Sequence, residues 1–161
     1  MTSSTISCSV SLGARVLPIR AYCASDQAQL IALWERCGLV RPWNVPADDI
    51  AAKLAYQPEL LFVAEDPKPA AGDRQGIVGS LMAGYDGHRG WVNYLAVDPQ
   101  LRRSGLGRAL MEHAEAALRA LGCPKINLQI RETNTGVVAF YHALGYQVDE
   151  VVSMGKRLDS R

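Results

Sequence analysis

Between Trp91 and Leu121 the hydrophobic repeat changes once, from the strand-like run WVNYLAV to a helical period, and the change falls across RRSGLG at 102–107. From Leu106 onward, Ala109, Leu110, His113, Ala114, Ala117, Leu118 and Leu121 recur at the spacing of one helix face, and Glu115 and Arg119 add an i,i+4 pair. Gly122 and Pro124 end that helix. A strand that enters an amphipathic helix through a short turn must lay the apolar face of the helix back on a sheet, which points to a mixed α and β architecture.

The remaining segments fit that architecture. RVLPIRAY at 15–22 alternates crudely and meets Ser25 and Asp26, a strand running into a helix N-cap. The helix carries Leu30, Ile31, Leu33 and Trp34 on one face and stops near Gly38. Pro46 suits a first helical position, and Ile50, Leu54 and Tyr56 give a second short helix before Pro58. LLFVAE at 60–65 reads as a buried strand, DPKPAAGDRQG as an exposed turn, and 77–85 as the returning strand. DGHRG at 86–90 then leads to the strand 91–97, which ends at Asp98 and Pro99, so these strands form an antiparallel meander. After the long helix come a strand at 126–130, a helix from Asn134 through Leu144 stopped by Gly145, and two strands at about 146–151 and 153–158. The expected order is β-α-α-β-β-β-α-β-α-β-β, without internal repeat, in an α/β or α+β fold with a mixed sheet.

A chain of 161 residues fits one domain, here 15–161, and can bury roughly two-thirds of its unfolded surface without a staple. Residues 1–14 are Ser/Thr-rich with no basic residue, and read as a flexible tail, with an organellar-targeting segment as the alternative. Seventeen basic against sixteen acidic side chains, with no long basic run, argue against nucleic acid as a partner. No apolar run approaches the ~18 residues of a membrane span. Cys8, Cys23, Cys37 and Cys123 show no CxxC spacing and no His at ligand spacing, so they read as reduced thiols in a cytoplasmic setting, with no metal.

The turn at 102–107 has the makings of an anion site. At a helix N-terminus the first amides lack intrahelical acceptors, and the helix dipole adds about half a positive charge. Glycines at 105 and 107 let phosphates approach without a Cβ in the way, and Arg102 and Arg103 add charge at the rim. A vacant strand–helix turn is the alternative. The dinucleotide fingerprint fails because position 110 is Leu, and a Walker loop fails because no Gly-Lys-Ser/Thr follows.

Arg102, Gly105 and Gly107, following LAVDP, resemble motif A of the GNAT (Gcn5-related N-acetyltransferase) superfamily, and NTGVVAFYHALGY at 134–146 resembles its motif B. The resemblance covers about residues 15–158. LWERCGLVRPWN with YDGHRG further resembles a YpeA-like bacterial branch of that superfamily. The resemblance implies a mostly antiparallel central sheet flanked by helices, and acetyl-CoA as cosubstrate. The amides of the turn Arg102, Arg103, Ser104, Gly105, Leu106 and Gly107 would hold the pyrophosphate. Leu95, Ala96 and Val97 would offer backbone to the pantetheine arm and acyl carbonyl, and Asn134 would touch a pantetheine amide. Tyr141 would give a proton to the departing thiolate.

The resemblance also implies direct attack in a ternary complex, so none of the cysteines is assigned as a nucleophile. The general base stays open. Where many members carry a Glu this chain has Gln129, which leaves Glu132, a carboxylate from another element, or a water relay past Tyr94. Family likeness places the acceptor near Trp43 in the loop 41–44 and near His88 and Arg89 in the turn 85–90; a packed loop and a solvated hairpin are the plain alternatives. The resemblance implies an amine-bearing small molecule, peptide or protein as acceptor, and a homodimer is left open. A non-catalytic acyl-CoA sensor and a scaffold with a vacant turn are the competing functions.

Overall fold

The computed structural model describes residues 8–12, 15–67 and 76–158. It divides into two compact units, Met1–Leu128 and Gln129–Arg161.

The first unit is built on a sheet whose spatial order follows the chain: β1 (Cys8–Leu12), β2 (Arg15–Ala21), β3 (Leu61–Asp66), β4 (Gly76–Tyr85), β5 (Gly90–Val97) and β6 (Ile126–Asn127). Neighbours are antiparallel except β5 and β6, which run parallel. Helices α1 (Gln27–Arg36) and α2 (Pro46–Ala55) connect β2 to β3, and α3 (Leu106–Ala120) connects β5 to β6.

Alternation along β3 sends its side chains to two cores. Leu61 and Val63 join Tyr22, Leu30, Leu33, Trp34 and Ile50 in one buried cluster with α1 and α2. Phe62 points the other way and meets His113 of α3 edge-on, ring centroids 4.6 Å apart. On that face α3 buries Leu106, Leu110, Met111, Ala114 and Leu118. Gly79 of β4 permits this close packing: a Cβ there would stand 3.0 Å from Leu110 Cδ1 and 3.2 Å from Leu106 Cδ2.

The mixed, mostly antiparallel sheet with flanking helices agrees with the fold class read from sequence, but the element order differs at both ends. Cys8–Leu12, expected within a flexible tail, pairs with β2 as a hairpin strand. The strand expected over 126–130 is confined to Ile126–Asn127. In the second unit α4 (Thr135–His142) forms as expected, whereas 146–151 and 153–158 form no strand. Their apolar residues Val148, Val151, Val152, Met154 and Leu158 are exposed. A strand exists by pairing, and alternation without a ladder partner does not make one. Most of the expected turn DPKPAAGDRQG, and residues 1–7 of the tail, lie outside the described residues.

Candidate functional site

The passage from β5 to α3 departs from regular backbone twice. Ser80 of β4 opposes Ala96, but Met82 opposes Asn93, so Leu81 faces both Tyr94 and Leu95. This is a β-bulge, and Tyr94 adopts φ 50° within it. Arg103 adopts φ 61° and Gly105 φ 94°. Among the described residues three non-glycines have left-handed φ, and two of them, Tyr94 and Arg103, bracket this one passage.

Between the two departures, Asp98 fixes the turn. Its carboxylate accepts the Gln100 amide at 3.1 Å and pairs with Arg36 of α1 through Nε at 3.1 Å and Nη2 at 2.9 Å. The Asp98 side chain is 4% exposed, so the charge depends on that partner. Asp98→Ala is expected to cost about 3 kcal/mol in urea unfolding, with an Arg36→Ala/Asp98→Ala double variant losing less than the sum of the singles.

Leu95, Ala96 and Val97, expected to face the pantetheine arm, thus lie in the bulge and the segment after it, and Arg102 and Arg103 stand exposed beyond the Asp98 turn. Ser104 Oγ accepts the Leu106 amide at 3.4 Å. Gly105 is the N-cap of α3, and Ala109 N to Gly105 O, 3.0 Å, is the helix's first i to i−4 bond. The amides of Leu106 and Gly107, at the first positions of α3, therefore have no intrahelical acceptor. No atom lies within 4 Å of a Cβ built on Gly105, so glycine serves its backbone angle and leaves open space before the helix. Beside the turn, the Cys37 thiol donates to Val97 O at 3.3 Å, and burial pushes it up, so it stays a thiol.

Sequence reasoning missed the cluster behind the bulge. Tyr94 stacks on the buried Trp34, centroids 4.1 Å apart, and Trp34 Nε1 donates to Ser80 Oγ, which donates to Tyr94 O. The Tyr94 hydroxyl accepts from Asn44 Nδ2 at 2.9 Å and donates to Asp49 Oδ2 at 2.5 Å. Burial, then the bond to Asp49, pushes this phenol up to about 12. Trp34, Asn44 and Asp49 lie 45 to 60 positions from Tyr94 on α1, in the loop after it and on α2, a proximity that periodicity does not encode.

Of the residues expected near the acceptor, Trp43 is 57% exposed in the loop between α1 and α2. His88 and Arg89 belong to a self-contained turn: Asp86 Oδ1 accepts both of their amides, and Oδ2 accepts Trp91 Nε1. The Arg89 and His88 amides with the indole hold the Asp86 carboxyl down to about 2.

In the second unit Asn134 caps α4, its side chain accepting the Val137 amide at 3.4 Å. Tyr141 is buried, edge-on to Phe140 and Tyr146 at 5.1 and 5.5 Å, and burial pushes its phenol up to about 12. Glu132 is exposed in the turn before α4, and Gln129 Nε2 donates to Ser153 Oγ.

Residues 28–146 match the model of a family described as Acetyltransferase (GNAT) family. The protein "Acetyltransferase YE1169" of Yersinia enterocolitica is 46% identical over 142 residues, covering 88% of this chain and 96% of that protein. Among solved structures, an acetyltransferase from Streptococcus agalactiae superposes with TM-score 0.70 at 21% identity, covering 90% of this chain and 93% of that one. Naa20 of Chaetomium thermophilum, in complex with a bisubstrate analogue, gives TM-score 0.63 at 26% identity, covering 81% and 70%.

Proposed function

Because the chain belongs to the acetyltransferase (GNAT) family and is an acyltransferase, we propose that it carries an acetyl group from acetyl-CoA to a primary amine by direct attack in a ternary complex. Residues 15–161 act in this reading as one catalytic domain in a cytoplasmic setting. The observation that carries it is the backbone between Tyr94 and Gly107: a bulge, a turn fixed by Asp98 and a left-handed glycine at the start of α3, whose first amides have no acceptor within the helix.

Arg102, Arg103, Ser104, Gly105, Leu106 and Gly107 would hold the pyrophosphate, with charge from the arginines and donors from α3. Leu95, Ala96 and Val97 would align the pantetheine arm, and amides at the bulge would polarise the thioester carbonyl. Asn134 would contact the arm. Tyr141 would protonate the leaving thiolate, and its raised pKa keeps that proton in place at neutral pH. Trp43, His88, Arg89 and Glu132 would border the acceptor. A bisubstrate analogue on Naa20 supports simultaneous occupancy by donor and acceptor, since such a compound joins the two.

Titration calorimetry with coenzyme A tests the cofactor site. Wild type is expected to bind, and Gly105→Val to bind about tenfold more weakly, because a side chain at φ 94° costs roughly 1–2 kcal/mol to regain that backbone. No heat of binding with wild type would remove the reading.

The pairing of Gln129 with Ser153, where a carboxylate base is common in the family, favours a second reading, a non-catalytic acyl-CoA sensor. Tight coenzyme A binding without acetyl-CoA-dependent thiol release across an amine and peptide library would select the sensor.

A further inference from the structure

The transfer reaction needs a group that takes a proton from the acceptor ammonium, and Gln129, an amide, offers no basic site. A carboxylate is bonded to the β5 bulge itself. Asp49 stands in the first turn of α2, and Tyr94 sits in the bulge beside Leu95. Asn44, at the end of the loop between α1 and α2, donates to the same phenol. One hydroxyl therefore ties the segment proposed for the acyl carbonyl to the loop proposed for the acceptor.

We propose that the Tyr94 hydroxyl accepts a proton from the acceptor ammonium while passing its own to Asp49, so that Tyr94 is a catalytic residue and Asp49 a positioning residue behind it. This rests on the transferase reading above. The orientation is already set: a phenol oxygen has one proton and two lone pairs, the proton goes to Asp49, and Asn44 takes one lone pair. The remaining lone pair is free for an incoming N–H. Stacking on Trp34 holds the ring in place. Tyr94 cannot be the final proton acceptor at neutral pH, because burial and the bond to Asp49 keep it protonated to about 12. The carboxylate must take the proton.

The balance is as follows. The ammonium gives one proton through Tyr94 to Asp49, and the free amine attacks the thioester carbonyl carbon. The C–N bond forms, the C–S bond breaks, and the thiolate takes a proton from Tyr141. The second nitrogen proton restores Tyr141, and Asp49 returns its proton to solvent. Asp49 of α2 is the charge that acts on Tyr94, and Asp48 and Lys53 are the other charged residues of that helix.

Asp49→Asn keeps an acceptor for the phenol and removes the basicity. Acetyl transfer is measured with two probes, a small alkylamine that is cationic at neutral pH and an alkoxyamine that is already a free base. Turnover of the alkylamine is expected to fall about 100-fold and to recover as pH rises, while the alkoxyamine changes by less than about threefold and coenzyme A affinity is retained. Tyr94→Phe should show the same contrast between probes, and the double variant no further loss. Equal losses for both amines would overturn the relay alone. Failure of wild type to take up coenzyme A would instead overturn the transferase reading and the relay with it.

Discussion

Replacing Tyr141 with phenylalanine is expected to lower kcat by a factor of about 10²–10⁴ and leave coenzyme A affinity within about twofold. Phenylalanine retains the ring, so the edge contacts with Phe140 and Tyr146 survive and the fold of α4 is not at issue. The hydroxyl alone is removed. Burial raises this phenol to about 12, and a raised folded value keeps the protonated form over the whole neutral range. Wild-type kcat should accordingly show no falling limb from Tyr141 below about pH 11. Steady-state thiol release across pH, with calorimetry beside it, checks both statements. A loss of affinity as large as the loss of turnover would make Tyr141 a binding residue.

Trp34→Ala is expected to destabilise the first unit by about 3–5 kcal/mol, seen as a lower urea midpoint with unchanged slope. Trp34 is fully buried, carries the stack with Tyr94, and its indole N–H holds Ser80 Oγ at 2.9 Å. Trp34→Phe separates these contributions. It keeps most of the volume and loses the donor, at a cost of about 1 kcal/mol. A Trp34→Ala loss no larger than the Trp34→Phe loss would mean that the cavity collapses and packing counts for little here.

The β3–β4–β5 meander and α3 were legible because their signals are local. LLFVAE and WVNYLAV carry the apolar content of strands, and Leu106 to Leu118 keeps one face over consecutive turns. The turn at 102–107 was equally local, since glycine and helix periodicity meet within it. The ends of the chain were not. CSVSL alternates apolar and serine residues as a strand does, but it stands inside a Ser/Thr-rich stretch that reads as a tail, and β1 exists because β2 offers an edge. The apolar residues between 146 and 158 raise the opposite expectation and find no ladder. The Asn44–Asp49–Tyr94 relay was invisible for a related reason: Asn44 and Asp49 read as the ordinary residues of a loop and a helix start, and only the fold brings a phenol from β5 to them.

In the first unit, the strand sequence in space is the strand sequence in time. As the polypeptide leaves the ribosome, β4 and β5 each find the preceding strand already synthesised as an antiparallel neighbour, so this part of the sheet can grow without waiting for a helix. Two pairings are different: β2 with β3 waits for α1 and α2, and the parallel pairing of Gly90 and Trp91 with Ile126 and Asn127 waits for α3. The turn at 102–107, lying just before α3, is therefore synthesised before the strand that closes this edge of the sheet.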